Sequence, residues 1–225
     1  MGRAAGRSVT CQLSRAPARS SAGPASGGGA RRRQGRRAFA RGAGQVARPY
    51  SLASLPQEDP FLEFHLECRQ PGAFSDAARQ LRVGDRLRLG ELRGGALQYD
   101  PAWQTQPLWL LASGTGMGPL WGVLREALRQ NHQGAIRVIH LAHDASGHYL
   151  AEPLAALAAQ HANLTVELWT AAEQAQALAQ LRLVSRQTLA LLCGHPANVE
   201  AFSKRLFLAG LPRNQLLADV FLPRG

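Results

Sequence analysis

The feature that most constrains the fold is an apolar run that leads directly into a glycine-rich turn and an amphipathic helix pattern. Residues 108–112 are almost wholly apolar, which is typical of a strand buried on both faces of a parallel sheet. Glycine then occupies every second position, at Gly114, Gly116 and Gly118. Pro119 follows, and apolar residues recur at i, i+3 and i+4 spacing over 120–128. Because proline is tolerated at the first helical position, the pattern predicts a strand, a glycine loop and a helix in that order.

A strand, a glycine loop and a helix N-terminus in this order favour binding of a phosphate group. The N–H groups of the first helical turn and the positive end of the helix dipole face the anion, and glycine permits its close approach. The spacing matches neither G-x-G-x-x-G nor the P-loop, because no Gly-Lys-Ser/Thr follows. A glycine-rich turn without a ligand is the alternative that the local sequence leaves open.

The formal charge of +11 is concentrated at the N-terminus. Residues 1–48 contain eleven arginines, and the first acidic residue is Glu58, so beyond residue 48 the 15 basic residues equal the 15 acidic ones. The composition of residues 1–45 predicts a disordered tail, because so few large apolar side chains cannot offset the cost of ordering the backbone. The arginine run at 31–37 is open to three interpretations: a solvated tail, a nucleic-acid or anionic-surface contact, or part of an organelle transit peptide. We do not expect the neutral body to bind nucleic acid.

The cysteines and the apolar runs exclude several classes of protein. Cys11, Cys68 and Cys193 are widely separated and no C-x-x-C pair occurs, which argues against a zinc site, an iron–sulfur cluster or a disulfide framework. The histidines are dispersed, so no metal site is expected. No apolar run approaches the roughly 18 residues of a membrane span, and the N-terminus lacks the apolar core of a secretory signal. We therefore expect a cytoplasmic protein.

Residues 46–104 carry the pattern of an antiparallel β unit. Over 61–68 apolar residues alternate with Glu63, His65 and Glu67, which predicts a half-buried strand with Cys68 as a core thiol and His65 as a surface imidazole. Ser75 is the expected N-cap of a short helix over 76–81, and residues 86–89 form a second alternating strand.

Residues 105–225 show a repeating strand and helix pattern. After the first strand and helix, further strands are predicted over 136–141, 164–169, 188–193 and 216–222, and helices over 150–160, 173–181 and 198–209. Such alternation predicts an α/β fold with a doubly wound, five-stranded parallel sheet. Ligands of these sheets bind at the carboxyl ends of the strands, so residues 114–119 and 193–196 are expected on the same rim.

Four short motifs occur in a recognisable order: R-x-Y-S at 48–51, G-x-x-S at 72–75, G-T-G-M-G-P at 114–119 and C-G-H-P at 193–196. From about residue 46 onward the chain resembles the ferredoxin–NADP reductase family, and most closely the bacterial reductase components that deliver electrons to oxygenases. The resemblance implies an FAD-binding antiparallel β-barrel followed by an NAD(P)-binding domain. The family places several strands before R-x-Y-S, where this chain has its arginine-rich segment, so we expect a partial barrel.

The resemblance also implies roles for individual residues. Arg48 would bind the flavin phosphates, Tyr50 would pack on the isoalloxazine ring, and Ser51 would lie near its N5 atom. Gly72 and Ser75 would place the N–H groups of the short helix on the FAD pyrophosphate. The residues implied for the NAD(P)H pyrophosphate are Gly114, Thr115, Gly116, Met117, Gly118 and Pro119. Those implied beside the nicotinamide are Cys193, Gly194, His195 and Pro196, and Asp219 with Phe221 would form the C-terminal edge. Ser51, Cys193 and Asp219 are the implied catalytic residues.

The implied reaction is hydride transfer from NAD(P)H to FAD, followed by electron transfer to an iron–sulfur or oxygenase partner. It requires no strong acid or base, and the sequence contains no pattern of a catalytic carboxylate pair or a Ser-His-Asp triad. His143 and Asp144 follow the second parallel strand where NADP-specific relatives carry an arginine, which favours NADH. Two alternatives remain open: a nucleotide-binding domain without redox activity, and nucleic-acid binding through residues 1–48.

Overall fold

The computed structural model describes residues 8–14, 36–41, 47–55, 57–68, 71–85, 87–89 and 93–221. Its elements form an N-terminal unit, up to residue 100, and a C-terminal unit, from residue 105 onward. The N-terminal unit contains β1 (Ser8–Ser14), β2 (Arg36–Arg41), β3 (Ala47–Ser51), β4 (Phe61–Glu67), α1 (Ala73–Gln80), β5 (Arg88–Leu89) and β6 (Arg93–Gly94). Strand β1 pairs with β4, and β2 lies between β3 and β5 and also pairs with β6, every pair being antiparallel.

Two segments of the predicted disordered tail are strands. In the β1–β4 register, Val9 is opposite Leu66, Cys11 is opposite Phe64 and Leu13 is opposite Leu62, so the apolar residues of the two strands fall on matching positions. Strand β2 pairs along the whole of β3. The prediction of disorder is therefore wrong for β1 and β2. Their own composition is poor in large apolar residues, but strands that lie far away in the sequence pair with them and hold them in place. The rest of 1–45 lies outside the described residues.

Helix α1 begins earlier than the sequence predicted. Gly72 is its N-cap, and Ser75 lies within the first turn, so the assignment of Ser75 as the cap of a helix over 76–81 is wrong. The buried side chains of Phe74 and Ala78 are four residues apart and pack in the cluster that contains Phe64. Burial of this pair explains why the helix includes Phe74. Of the strand predicted over 86–89, residues 88–89 form β5, and residue 86 lies outside the described residues.

The C-terminal unit alternates strands with helices as predicted. Its main elements are β7 (Leu108–Ser113), α2 (Met117–Arg129), β8 (Ile136–Ala142), α3 (Ala151–Gln160), β9 (Leu164–Thr170), α4 (Gln174–Gln180), β10 (Leu189–Gly194), α5 (Pro196–Leu208) and β11 (Leu216–Val220). The five strands are parallel in the order β11-β10-β7-β8-β9. The chain moves from β7 outward to β9 and then returns to β10 on the other side of β7. The sheet is therefore doubly wound.

The C-terminal core consists of two apolar layers, one on each face of the parallel sheet. On one face, Leu120 and Leu124 of α2 and Leu154 of α3 pack against alternate residues of β7 and β8. On the other face, Phe202 and Leu206 of α5 pack against the intervening residues of the same strands. All six residues of β7 and all six of β10 are buried, which explains the continuous apolar runs of these strands. Within the part of the chain that the structure describes, no helix combines the length and apolar character needed to cross a bilayer.

Candidate cofactor-binding cleft

The two glycine-containing loops after β7 and β10 lie in direct backbone contact. A Cβ atom at Gly116 would overlap the carbonyl group of Cys193 and would lie 2.8 Å from the Cα atom of Gly194. Gly194 has a φ of +133°, and a Cβ there would overlap the carbonyl oxygen of Ser113. Only glycine permits this approach at either position. The two loops therefore share one rim of the sheet, as the sequence predicted.

Polar side chains of β8 and α5 form hydrogen bonds with the start of the glycine loop. His140, at the end of β8, is 0% exposed, and its Nε2 atom donates a hydrogen bond of 3.0 Å to the carbonyl oxygen of Gly114. Gly114 has a φ of +56°, a backbone conformation that favours glycine. Ser113 is fixed from the other side, since the Nδ2 atom of Asn198 donates to its hydroxyl group over 2.7 Å. The start of the loop is thus held by hydrogen bonds from β8 and α5.

Three helices begin at this rim or beside it without a side chain that caps them. Gly72 is the N-cap of α1, Gly116 that of α2 and His195 that of α5, and none of the three provides a side-chain hydrogen bond to its helix. Pro196 occupies the first turn of α5 and has no N–H group to satisfy. Helix N-termini attract anions through their N–H groups and through the helix dipole. The local chemistry therefore favours a ligand with several phosphate groups.

A cleft of about 550 Å³ lies between the N-terminal unit and the rim of the parallel sheet. From the predicted site it gathers Arg48, Tyr50, Ser51, Gly72, Ser75, Thr115, Gly118, Pro119, His195, Asp219 and Phe221. The other predicted residues lie outside its lining: Gly114, Gly116, Met117, Asp144, Cys193, Gly194 and Pro196. Residues implied for FAD and residues implied for the nicotinamide nucleotide thus face one common space.

Three of the predicted residues outside the lining, Met117, Cys193 and Asp144, occupy two different environments. Met117 and Cys193 are 0% exposed, and both side chains belong to the core beneath the loops. Asp144 is exposed after β8, and its carboxylate accepts a hydrogen bond of 3.0 Å from the backbone N–H group of Ser146. Asp144 therefore caps the turn that follows β8.

The aromatic lining of the cleft comes from β3 and α1. The rings of Tyr50 and Phe74 have centroids 4.8 Å apart and are inclined by 37°. Burial raises the pKa of Tyr50, and the nearby Cys68 raises it further, so its hydroxyl group stays protonated at neutral pH. From the C-terminal unit, the lining includes Asp219 of β11, which lies beside Cys193 of β10 in the sheet register. The lining of the cleft therefore includes both an aromatic pair and a carboxylate.

Sequence reasoning missed the residues that join the two units. The assignment of His65 as a surface imidazole is wrong, since the residue is 8% exposed and lines the cleft. Its Nδ1 atom lies 2.9 Å from the hydroxyl oxygen of Tyr149, a residue that the sequence patterns did not single out. Alternation along β4 correctly grouped Glu63, His65 and Glu67 on one face. It gave no indication that the C-terminal unit covers part of that face.

The two units also meet along α2. The guanidinium group of Arg125 donates two hydrogen bonds, of 2.7 and 2.8 Å, to the carboxylate of Asp59 in the N-terminal unit. These bonds hold the pKa of Asp59 below its usual value, with an additional contribution from the N–H group of Leu55. A Cβ at Gly122 would lie 3.4 Å from the carbonyl oxygen of Ala53, which shows how closely the helix approaches. This contact fixes one wall of the cleft relative to the other.

Comparison with known proteins agrees with this geometry. Residues 110–204 match the family described as the oxidoreductase NAD-binding domain. The chain is 31% identical over 190 residues to the ferredoxin–NAD(P)(+) reductase component of the naphthalene 1,2-dioxygenase system from Pseudomonas putida. This alignment covers 80% of the chain and 57% of the relative, so the chain spans little more than half of that protein's length.

Solved structures of reductases also resemble this chain. A cytochrome P450 reductase from Amycolatopsis superimposes with a TM-score of 0.72 at 25% identity, covering 85% of this chain and 61% of that one. In sequence and in fold, the chain is thus similar to ferredoxin reductases, and the match to the oxidoreductase NAD-binding domain covers residues 110–204. The FAD/NAD-binding domain of a nitric oxide dioxygenase from Vibrio cholerae shares the fold, with a TM-score of 0.73 at 22% identity over 84% of this chain and 85% of that domain. Both units of the chain therefore have counterparts in known structures.

Proposed function

We propose that this ferredoxin reductase-like chain binds FAD and NAD(P)H in the cleft between its two units and transfers hydride from the nicotinamide to the flavin. Electrons then pass to an iron–sulfur or oxygenase partner. The observation that carries the proposal is the composition of the cleft lining. Arg48, Tyr50 and Ser75 from the N-terminal unit face the same space as Thr115 and His195 from the C-terminal unit.

The donor groups of the cleft fit the proposed cofactors. FAD and NAD(P)H each carry a pyrophosphate group, and helix N-termini such as those that begin at Gly72 and Gly116 attract anions. Arg48 adds a guanidinium group to the same lining. The aromatic pair of Tyr50 and Phe74 offers a surface suited to a flat heterocyclic ring.

The redox chemistry would come from FAD, a cofactor able to accept a hydride and to release electrons one at a time. The protein contributes position. Tyr50 and Phe74 would orient the isoalloxazine ring, and Ser51 would donate a hydrogen bond near its reactive edge. The buried turn at Cys193 and the side chain of Asp219 would define the space for the nicotinamide. Bringing two rings into contact in the correct orientation is itself a large contribution to the rate of such a reaction.

The preferred nucleotide and the electron acceptor follow from separate observations. Asp144 ends β8 with an exposed carboxylate, which suits a free ribose hydroxyl group and repels a 2′-phosphate, so we propose NADH as the preferred donor. The named Pseudomonas relative is the ferredoxin–NAD(P)(+) reductase component of a dioxygenase system. By analogy we propose a ferredoxin-type iron–sulfur protein as the acceptor.

The direct test is an absorption spectrum of the purified protein, before and after incubation with FAD. Flavin bands that are retained on gel filtration and bleached anaerobically by NADH support the proposal. A protein that remains colourless after incubation with excess FAD overturns it. Retained FAD that NADH cannot bleach indicates instead a nucleotide-binding protein without redox activity.

A pair of arginine variants connects the result to the cleft. Arg48→Gln removes a charged donor from the cleft, and we expect FAD affinity to fall roughly tenfold, since hydrogen bonds to charged groups contribute about 1.5–3 kcal/mol. Arg186→Gln removes an exposed arginine outside the cleft lining and serves as the control. Equal losses of FAD affinity in the two variants would show that Arg48 has no specific role.

A further inference from the structure

A partly buried hydrogen-bonded pair joins the N-terminal unit to the C-terminal unit beside the glycine loop. His65 comes from the middle of β4, and Tyr149 precedes α3. The hydroxyl oxygen of Tyr149 lies 2.9 Å from Nδ1 of His65, and the two rings meet edge to face with centroids 5.0 Å apart. The His65 side chain is 3% exposed. The contact is therefore largely shielded from water.

The hydrogen-bond partners define the direction of this interaction. Nε2 of His65 lies 3.2 Å from the carboxylate of Glu63, which can only accept when ionised, so Nε2 carries the proton. In the neutral imidazole, Nδ1 then presents a lone pair and accepts from the hydroxyl group of Tyr149. Burial raises the pKa of Tyr149, so this hydroxyl keeps its proton. The result is a chain of hydrogen bonds from Tyr149 through His65 to Glu63.

The same pair also contacts the loop and helix that carry the rim. A Cβ at Gly118, in the first turn of α2, would lie 3.2 Å from Nδ1 of His65. The ring of Tyr149 packs edge-on against His140, with centroids 5.8 Å apart, and His140 holds the carbonyl group of Gly114. Both ends of the glycine loop are thus supported by contacts that lead to the Tyr149–His65 pair.

We propose that the Tyr149–His65 hydrogen bond is a positioning element that fixes the glycine loop relative to the flavin-side wall of the cleft, and that it thereby governs the rate of hydride transfer. This inference rests on the proposed function, because the loop is assumed to carry the nicotinamide nucleotide. The pair does not touch the reacting atoms in this account. It sets the distance between the two walls on which the two rings would rest, and reaction rates depend steeply on that distance.

The chain supplies a matched control. Tyr99 and His132 form a second pair with the same arrangement, in which the hydroxyl oxygen lies 2.9 Å from Nδ1 and Nε2 lies 3.0 Å from the carbonyl oxygen of Gln106. Both residues are buried, at 7% and 4% exposure. This pair lies near the amino ends of the parallel strands, at the opposite end of the sheet from the cleft. Tyr99→Phe therefore removes an equivalent hydrogen bond without altering the rim.

The first experiment measures hydride transfer in the FAD-loaded protein by rapid mixing with NADH. We expect Tyr149→Phe to slow flavin bleaching about tenfold, equivalent to 1.4 kcal/mol in the barrier, while the Kd of NADH changes less than about twofold. We expect Tyr99→Phe to lower the melting temperature about as much as Tyr149→Phe does. We expect it to leave the rate of flavin bleaching unchanged. Equal rates in Tyr149→Phe and the unmodified protein, or equal slowing by the two variants, would overturn the proposal.

A second experiment separates this inference from the proposed function. Hydrogen exchange of the amides in residues 114–120 reports the loop position without any redox reaction. We expect Tyr149→Phe to accelerate exchange in this segment at least about fivefold and Tyr99→Phe to leave it unchanged. Unchanged exchange in Tyr149→Phe refutes positioning even if the protein is an active reductase. Accelerated exchange in a protein that NADH cannot reduce would retain the positioning role and refute the reductase function.

Discussion

Acid should destabilise this protein through one buried histidine, His140. Its Nε2 atom donates to the carbonyl group of Gly114, and its Nδ1 atom has no hydrogen-bond partner within the described part of the chain. The pKa of His140 is lowered from 6.5 to about 4, mainly by burial; the bond to Gly114 acts in the opposite direction, and the adjacent His148 adds a smaller decrease. A proton on Nδ1 would therefore be a buried charge without a partner.

The size of the effect follows from the difference between the folded and unfolded pKa values. Below pH 6.5 the unfolded chain binds a proton that the folded chain does not, so the free energy of unfolding falls as the pH falls. The stability is complete above pH 6.5 and decreases until the pH reaches the folded pKa near 4. At about 1.36 kcal/mol per pKa unit, His140 alone should cost about 1.4 kcal/mol by pH 5.5 and about 3 kcal/mol by pH 4.

The assay is urea unfolding at a series of pH values between 7.5 and 4.5, followed by circular dichroism. His140→Gln retains an amide donor for the Gly114 carbonyl but cannot titrate, so its stability should decline less steeply than that of the unmodified protein. His143→Gln removes an exposed imidazole nearby and should retain the full pH dependence. Parallel curves for His140→Gln and the unmodified protein between pH 6.5 and 4.5 would refute the reasoning.

Three further predictions concern the rim, the contact between the units, and nucleotide choice. Gly116→Ala places a methyl group against the backbone of the turn after β10, so we expect the free energy of unfolding to fall by about 1–3 kcal/mol and calorimetry to detect no NAD⁺ binding. At Gly72 a methyl group would have open space, so Gly72→Ala should have the melting temperature of the unmodified protein. Asp59→Asn removes the charge that pairs with Arg125 and should lower the free energy of unfolding in urea by about 1–3 kcal/mol. A smaller decrease at both low and high salt would show that this ion pair does not hold the two units together. Asp144→Asn keeps a capping oxygen but removes the charge, and should shift the ratio of kcat/KM for NADH over NADPH toward NADPH by roughly tenfold, or 1.4 kcal/mol. An unchanged ratio would show that Asp144 does not select the nucleotide.

Most of the C-terminal unit could be predicted from sequence because its strands are buried on both faces. Continuous apolar runs such as 108–112 permit little except an interior parallel strand, and helix α2 shows a clear 3.6-residue period. Once the sheet is parallel, the position of the loops follows from chain direction. The contact between Gly116 and Cys193 is therefore a consequence of topology that the sequence already contains.

The N-terminal unit was less predictable because its structure depends on partners distant in sequence. Alternation along β4 shows that Glu63 and His65 share a face, but it carries no information about what lies opposite that face. Tyr149, which covers His65, is 84 residues away. The same applies to β1 and β2, whose local composition favours disorder and whose order comes from pairing with β4 and β3. Long-range contacts of this kind outweigh local propensity.

The pairing of β1 with β4 and of β2 with β3 has a practical consequence for anyone who shortens the chain. From its composition, the arginine-rich N-terminal segment looks dispensable. A protein that starts near residue 46 would nevertheless lose β1, which pairs with β4, and β2, which pairs with β3. Unpaired backbone donors and acceptors along such strands recruit strands from other molecules. Truncation near residue 46 should therefore make the protein aggregate, although every residue of the cleft is retained.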